Sequence, residues 1–122
     1  MRVAVTVWED RISPVFDASR HLLIAKIENG QITHQSNLIF DPRSPAKLTN
    51  TLGRLDVPVL TCGAISQVPA NTITAGGITL VPFIAGKVNR VLRAHAKGQS
   101  LASAFAMPGS KDASTSFGSP AR

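Results

Sequence analysis

Between Val57 and Ser66 the apolar run Val57-Pro58-Val59-Leu60 breaks into the small residues Thr61-Cys62-Gly63-Ala64, and Ser66-Gln67-Val68-Pro69 follows at once. A short β-rich run bounded by turn residues and then a helix-start signal reads as a buried strand, a tight turn and a helix, which is half of a βαβ unit. That unit commits the chain to a sheet with helices packed on it. In open sheets of this kind ligands settle beyond the carboxyl ends of the strands, where helix N-termini present unpaired backbone N–H groups. Cys62, the only cysteine, is expected at that rim.

Taken in order, Arg2 to Trp8 is apolar on both faces, as a central strand covered on both sides must be. Glu9 to Ser19 carries turn residues and no period, so a loop of about ten residues is expected there. His21 to Glu28 and Gln31 to Phe40 flank Asn29-Gly30, a strong hairpin signal. Ser44-Pro45 supplies an N-cap and a first-turn proline for a helix to Leu55, with Leu48, Leu52 and Leu55 as its apolar stripe. A strand at Val57 to Thr61, a helix at Ser66 to Ala75 closed by Gly76-Gly77, and a strand at Ile78 to Phe83 follow. A helix from about Ala85-Gly86 to Gly98 buries Val88, Val91, Leu92 and Ala96.

This order gives an α/β fold: a mixed five-stranded sheet in the order 3-2-1-4-5, the second strand antiparallel to the first, helices on both faces. Residues 1–107 form the domain, and the small, polar residues 108–122 are expected to be a mobile tail. The topology brings the loop after the first strand, the Cys62 turn and the Phe83 to Lys87 loop to one rim. That rim offers charge from Arg11 and Lys87 and hydroxyls from Ser13 and Ser66. Gly63, Ala64 and Gly86 let the backbone approach a ligand, and Trp8, Val15, Phe16, Ile65 and Phe83 form an apolar wall. Cys62 reads either as a small core residue or as a soft metal ligand. His21, His34 and His95 lack metal-ligand spacing, and His95 suits a helix C-terminus as a cation.

Thirteen Lys and Arg against seven Asp and Glu give a net charge of +6, which favours an anionic partner. Five Phe, one Trp and no Tyr leave few stacking platforms, which disfavours nucleic acid. The first strand carries no carboxylate, so a two-metal nuclease centre has nothing to build on. One cysteine excludes an internal disulfide and a Cys₄ zinc site. No apolar run approaches a membrane span, and Met1 to Val5 enters a strand pattern without signal-peptide regions, so a cytoplasmic location is expected.

Arg11-Ile12-Ser13-Pro14-Val15-Phe16-Asp17, Cys62-Gly63-Ala64-Ile65-Ser66, and Gly76-Gly77-Ile78 through Gly86-Lys87-Val88 occur in the order and spacing of a known family. Over residues 1–107 the chain resembles the dinitrogenase iron-molybdenum cofactor family, the NifX, NafY and NifB carboxyl-terminal group that includes the molybdenum-copper orange proteins. The resemblance implies a ribonuclease H-like fold and a non-enzymatic carrier of an anionic molybdenum-containing sulfide cluster, molybdenum-copper favoured over iron-molybdenum. It also implies protein partners in cluster delivery. The implied contacts are Trp8, Arg11, Ser13, Phe16, Cys62, Gly63, Ala64, Ile65, Ser66, Phe83, Gly86 and Lys87, with Cys62 on the metal. Val15 stands where nitrogenase carriers often place a histidine. A small-molecule or nucleotide-binding regulatory module that holds phosphate at the same helix N-termini is the alternative.

Overall fold

In the computed structural model, which describes residues 1–108, the central strand β1 (Arg2–Trp8) separates two apolar cores. Alternate side chains point to opposite faces. Ala4 therefore joins Leu22, Leu60, Leu52 and Ile73 on one side, while Val3 and Val5 join Val91, Leu92 and Ile84 on the other. The residues expected as a mobile tail lie, from 109 onward, outside the described part.

The hairpin β3 (His21–Glu28) and β4 (Gln31–Ile39) turns through Asn29 at φ 53° and Gly30 at φ 75°, the two positive angles that a tight two-residue hairpin needs. Helix α1 (Pro45–Arg54) opens behind Ser44 and buries Leu48 and Leu52. Leu55 falls just past its end and is largely exposed, outside the stripe expected of it. The chain continues through β5 (Val59–Thr61), α2 (Gln67–Ala75), β6 (Thr79–Val81), α3 (Val88–Ala96) and a short α4 (Leu101–Phe105).

The sheet has six strands where five were expected, because the loop after β1 contains β2 (Arg11–Ile12), paired antiparallel to β1. A single 3-10 turn, Phe16–Ala18, occupies the rest of that loop. The main path runs β4-β3-β1-β5-β6, with β1, β5 and β6 parallel and β3 antiparallel to both neighbours. Both β5 and β6 begin later than their apolar runs suggested. The N–H of Val57 closes the end of α1 on Leu52 O, and that of Ile78 closes α2 on Ile73 O, so neither is free for the ladder. No helix among the described residues is long and apolar enough to cross a membrane.

His95, in the last turn of α3, reaches Thr61 of β5, with Nε2 to Oγ1 at 2.8 Å. It was expected as a cation complementing the helix end, but burial holds its pKa below the ordinary 6.5 and keeps the ring neutral. The unfolded chain takes up that proton first, so stability is full above pH 6.5 and declines as the pH falls below it. The urea midpoint should drop on mild acidification, and His95→Gln should flatten that drop.

Candidate functional site

The chain leaves β1 at Trp8, turns at Glu9-Asp10 and returns as β2, with Val7 opposite Ile12 and Trp8 opposite Arg11. It then runs alongside the turn after β5. Val15 pairs in parallel with Ala64: Ala64 N–H donates to Pro14 O at 2.9 Å, and Phe16 N–H donates to Ala64 O at 2.7 Å. Gly63 is what permits this contact. A Cβ there would meet the carbonyl oxygens of Ser13 and Pro14, lying 2.5 Å from the latter.

The third loop, between β6 and α3, is tied to the other two. Phe83 N–H donates to Gly63 O at 2.9 Å, Ile12 N–H to Gly86 O at 2.9 Å, and Val88 N–H to Asp10 O at 2.8 Å. Gly86 has φ 143°, a region that favours glycine, and a Cβ on it would approach Phe105 to 3.0 Å. Phe83 sits at φ 61°, where a bulky side chain costs about 1–2 kcal/mol. Its backbone is held on both sides, by Gly63 O and by the N–H of Met107 at 2.8 Å.

These bonds set Arg11 directly opposite Lys87 in an antiparallel bridge. Because the bonds flank the pair, it is a non-hydrogen-bonded one, whose Cα atoms lie about 4.5 Å apart with side chains close together. Like charges facing each other in this way are destabilising. Both side chains are exposed. Among the described residues the ion pairs are Lys26 with Glu28 and Arg43 with Asp41, so neither Arg11 nor Lys87 has a carboxylate partner there. Trp8, across the hairpin from Arg11, is 57% exposed. Two cations without an ion-pair partner among the described residues, beside an exposed indole, can attract and hold an anion, with Glu9 and Asp10 lining the groove next to Lys87.

Other expected contacts do not reach the surface. Ser13, Phe16 and Ile65 are buried, and Phe16 stacks at a tilt on Phe40 with ring centres 5.5 Å apart. The Ser13 hydroxyl is used internally, accepting from Ser19 Oγ at 2.6 Å. Ser66 is exposed, but its N–H and hydroxyl both donate to the Asp17 carboxylate, at 3.2 and 3.1 Å. Asp17 thereby occupies the start of α2, which had been expected to face an anion. It was legible only as one acid in a loop, since nothing local ties residue 17 to residue 66. Gly63 is buried and Ala64 half-buried, so these two build the rim without lining its surface; Phe83 and Gly86 are also half-buried.

Of the two readings of Cys62, the structure gives the small core residue and not the soft ligand at the rim. Its side chain is fully buried in the core with Ala4, Phe16, Leu60 and Ile65. Counting from Val59, Leu60 and Cys62 point into the α1 and α2 core, so the alternation of β5 carries the thiol inward. Burial, with the nearby Asp17 charge, pushes its pKa far up, so it does not present a thiolate to a metal. The native thiol should react with a labelling reagent only as fast as the structure opens, and fully in denaturant. Fast labelling of native protein would return it to the rim.

The same fold occurs in known structures. The chain is similar to PH0822 (22% identity, TM-score 0.70, covering 81% of this chain and 93% of that one). It is likewise similar to MJ0327 of Methanocaldococcus jannaschii, provisionally named a dinitrogenase (18%, TM-score 0.65, 81% and 90%). A third likeness is to TM1290 of Thermotoga, provisionally named a NifB protein (20%, TM-score 0.61, 88% and 98%). No curated protein matches the chain. The sequence profile described as dinitrogenase iron-molybdenum cofactor matches residues 1–98, a span that takes in all three loops of the rim. The chain belongs to the dinitrogenase iron-molybdenum cofactor family.

Proposed function

We propose that the protein is a carrier for an anionic molybdenum-containing metal-sulfide cluster, which it binds at the rim around Arg11 and Lys87 and hands on unchanged. The observation that carries this reading is the Arg11 and Lys87 pair, two cations set face to face without a carboxylate partner among the described residues. A fold keeps such a repulsive pair at a cost in stability, and an arriving anion relieves it. Family membership supports a cofactor-handling role, and the net charge of +6 favours encounter with a polyanion. The ribonuclease H-like assignment of the sheet and the protein partners that would load and receive the cluster are part of the same reading.

The family description favours the iron-molybdenum kind of cluster over the molybdenum-copper kind first expected. In either kind the cluster's own sulfides satisfy the metals, so the rim needs to supply charge more than a soft ligand. The one cysteine is in the core, and Arg11, Lys87 and Trp8 remain as the contact set.

The test is anaerobic titration with an iron-molybdenum-sulfide cluster, followed through the emission of Trp8, the single tryptophan. Binding should quench the indole and weaken steeply as salt rises, because exposed charges are screened beyond about 8 Å at physiological ionic strength. Salt-independent binding would sink the electrostatic reading. Inorganic phosphate or a nucleotide that binds at least as tightly as the cluster would favour the regulatory module instead.

A further inference from the structure

The outer edge of the sheet suggests an interface. Strand β4 ends the path β4-β3-β1-β5-β6, so one side of its backbone faces away from the sheet. Such edges are normally blunted by charges, prolines, bulges or brevity. Gln31–Ile39 is nine residues long and contains no Lys, Arg, Asp, Glu or Pro, in a chain with thirteen cations. Its one irregularity is the register shift between Lys26 and Ile27, which leaves His34 to Ile39 as a regular ladder. Residues 33–37 are all exposed, and Ile39 is 79% exposed.

We infer that two copies of this chain pair antiparallel through β4, about a two-fold axis at Ser36, joining their sheets into one. The occupant is a second copy because the strand is complementary to itself. With the axis at Ser36, Gln35 falls opposite Asn37 of the other copy, and the same pair repeats across the axis. Each amide is both donor and acceptor, so the pairs bond without regard to which copy supplies which. Both residues lie on the α3 face of the sheet, lining an open groove of about 430 Å³ with Leu92 and Val88, so they are on the same side as such pairing requires. On the opposite face His34 meets Leu38 of the other copy, and Leu38 packs partly on the core. No charge meets its own copy anywhere along Gln31–Ile39. A lysine or arginine there would be repelled, and elsewhere the surface carries the charge that keeps two +6 bodies apart.

Light scattering and sedimentation from micromolar to millimolar protein read this directly. A dimer should form with concentration and should strengthen with salt, as screening removes the repulsion between the two bodies. That is the opposite salt response to cluster binding, so either reading can fail alone. Ser36→Lys places like charges across the axis and should weaken the dimer by up to about fivefold, with an unchanged circular dichroism spectrum because Ser36 is exposed. With oxidised glutathione as the electron acceptor, Ser36→Cys should be converted to a disulfide-linked dimer, since directly opposed strand residues lie about 4.5–5.5 Å apart at Cα, within disulfide reach. Asn50→Cys, exposed on α1, is the control. A monomer at every concentration and salt, a Ser36→Lys dimer as tight as the wild type, or cross-linking of Ser36→Cys no faster than Asn50→Cys would each overturn the inference.

Discussion

Gly63→Ala should destabilise the protein by about 3 kcal/mol, the upper end of what overpacking one methyl group costs. The added Cβ would sit 2.5 Å from Pro14 O and 2.7 Å from the Pro14 carbonyl carbon, and against Ser13 O. These are backbone atoms and cannot rotate aside as a side chain would. Pro14 O is also committed to Ala64 N–H, and Ser13 N–H to Thr6 O. Relief therefore requires breaking the bridge between Val15 and Ala64, and with it the bond that seats Phe16, whose ring is fully buried. Denaturant unfolding measures the loss, and cluster uptake should fall with it because the same loop carries Arg11. A change below about 1 kcal/mol would show that the loop yields, contrary to the close contact described.

Neutralising the rim should do the reverse to stability. Arg11→Gln and Lys87→Gln should each weaken cluster binding by about tenfold at low salt, and together by about a hundredfold, as expected for unit charges near a protein surface. The fold should gain about 0.2–1 kcal/mol from either change, because removing one of two opposed like charges relieves repulsion. Lost binding with gained stability is a signature that general damage cannot produce. Titration by Trp8 emission and urea unfolding of the same samples read both effects. Variants that bind normally would place the anion elsewhere.

What could be read from the sequence follows a physical divide. The order of strands and helices was legible because it rests on local signals: the Asn29-Gly30 turn, Ser44-Pro45, Gly76-Gly77 and the apolar faces of α1 and α3. The convergence of three loops followed from topology. Strand β2 was missed because two residues, Arg11-Ile12, show no period and are strand only through their pairing with β1. The ends of β5 and β6 were set by the N–H bonds that close α1 and α2, which apolar patterning does not record. Within the site, Arg11 and Lys87 were both named, but their mutual opposition arises between residues 76 positions apart. The inward turn of Cys62 follows Leu60, two residues before it and on the same face, into a core that only the packing of α1 and α2 closes. Asp17 over Ser66 is another long-range contact, invisible to spacing.

The amino end of the chain lies where it does not interfere with any of this. Met1 N donates to Ile27 O at 2.9 Å, at the foot of β1, whereas the rim begins at Trp8, at the head of the same strand. Seven residues of strand separate the two, roughly 20 Å. Phe105 O and the N–H of Met107, by contrast, are bonded into the loop of Ala85 and Phe83. An affinity handle, a dye or a surface linkage fused ahead of Met1 therefore leaves the cations open to solvent, while one inserted at Phe105 to Met107 would disturb the loop that leads to Lys87.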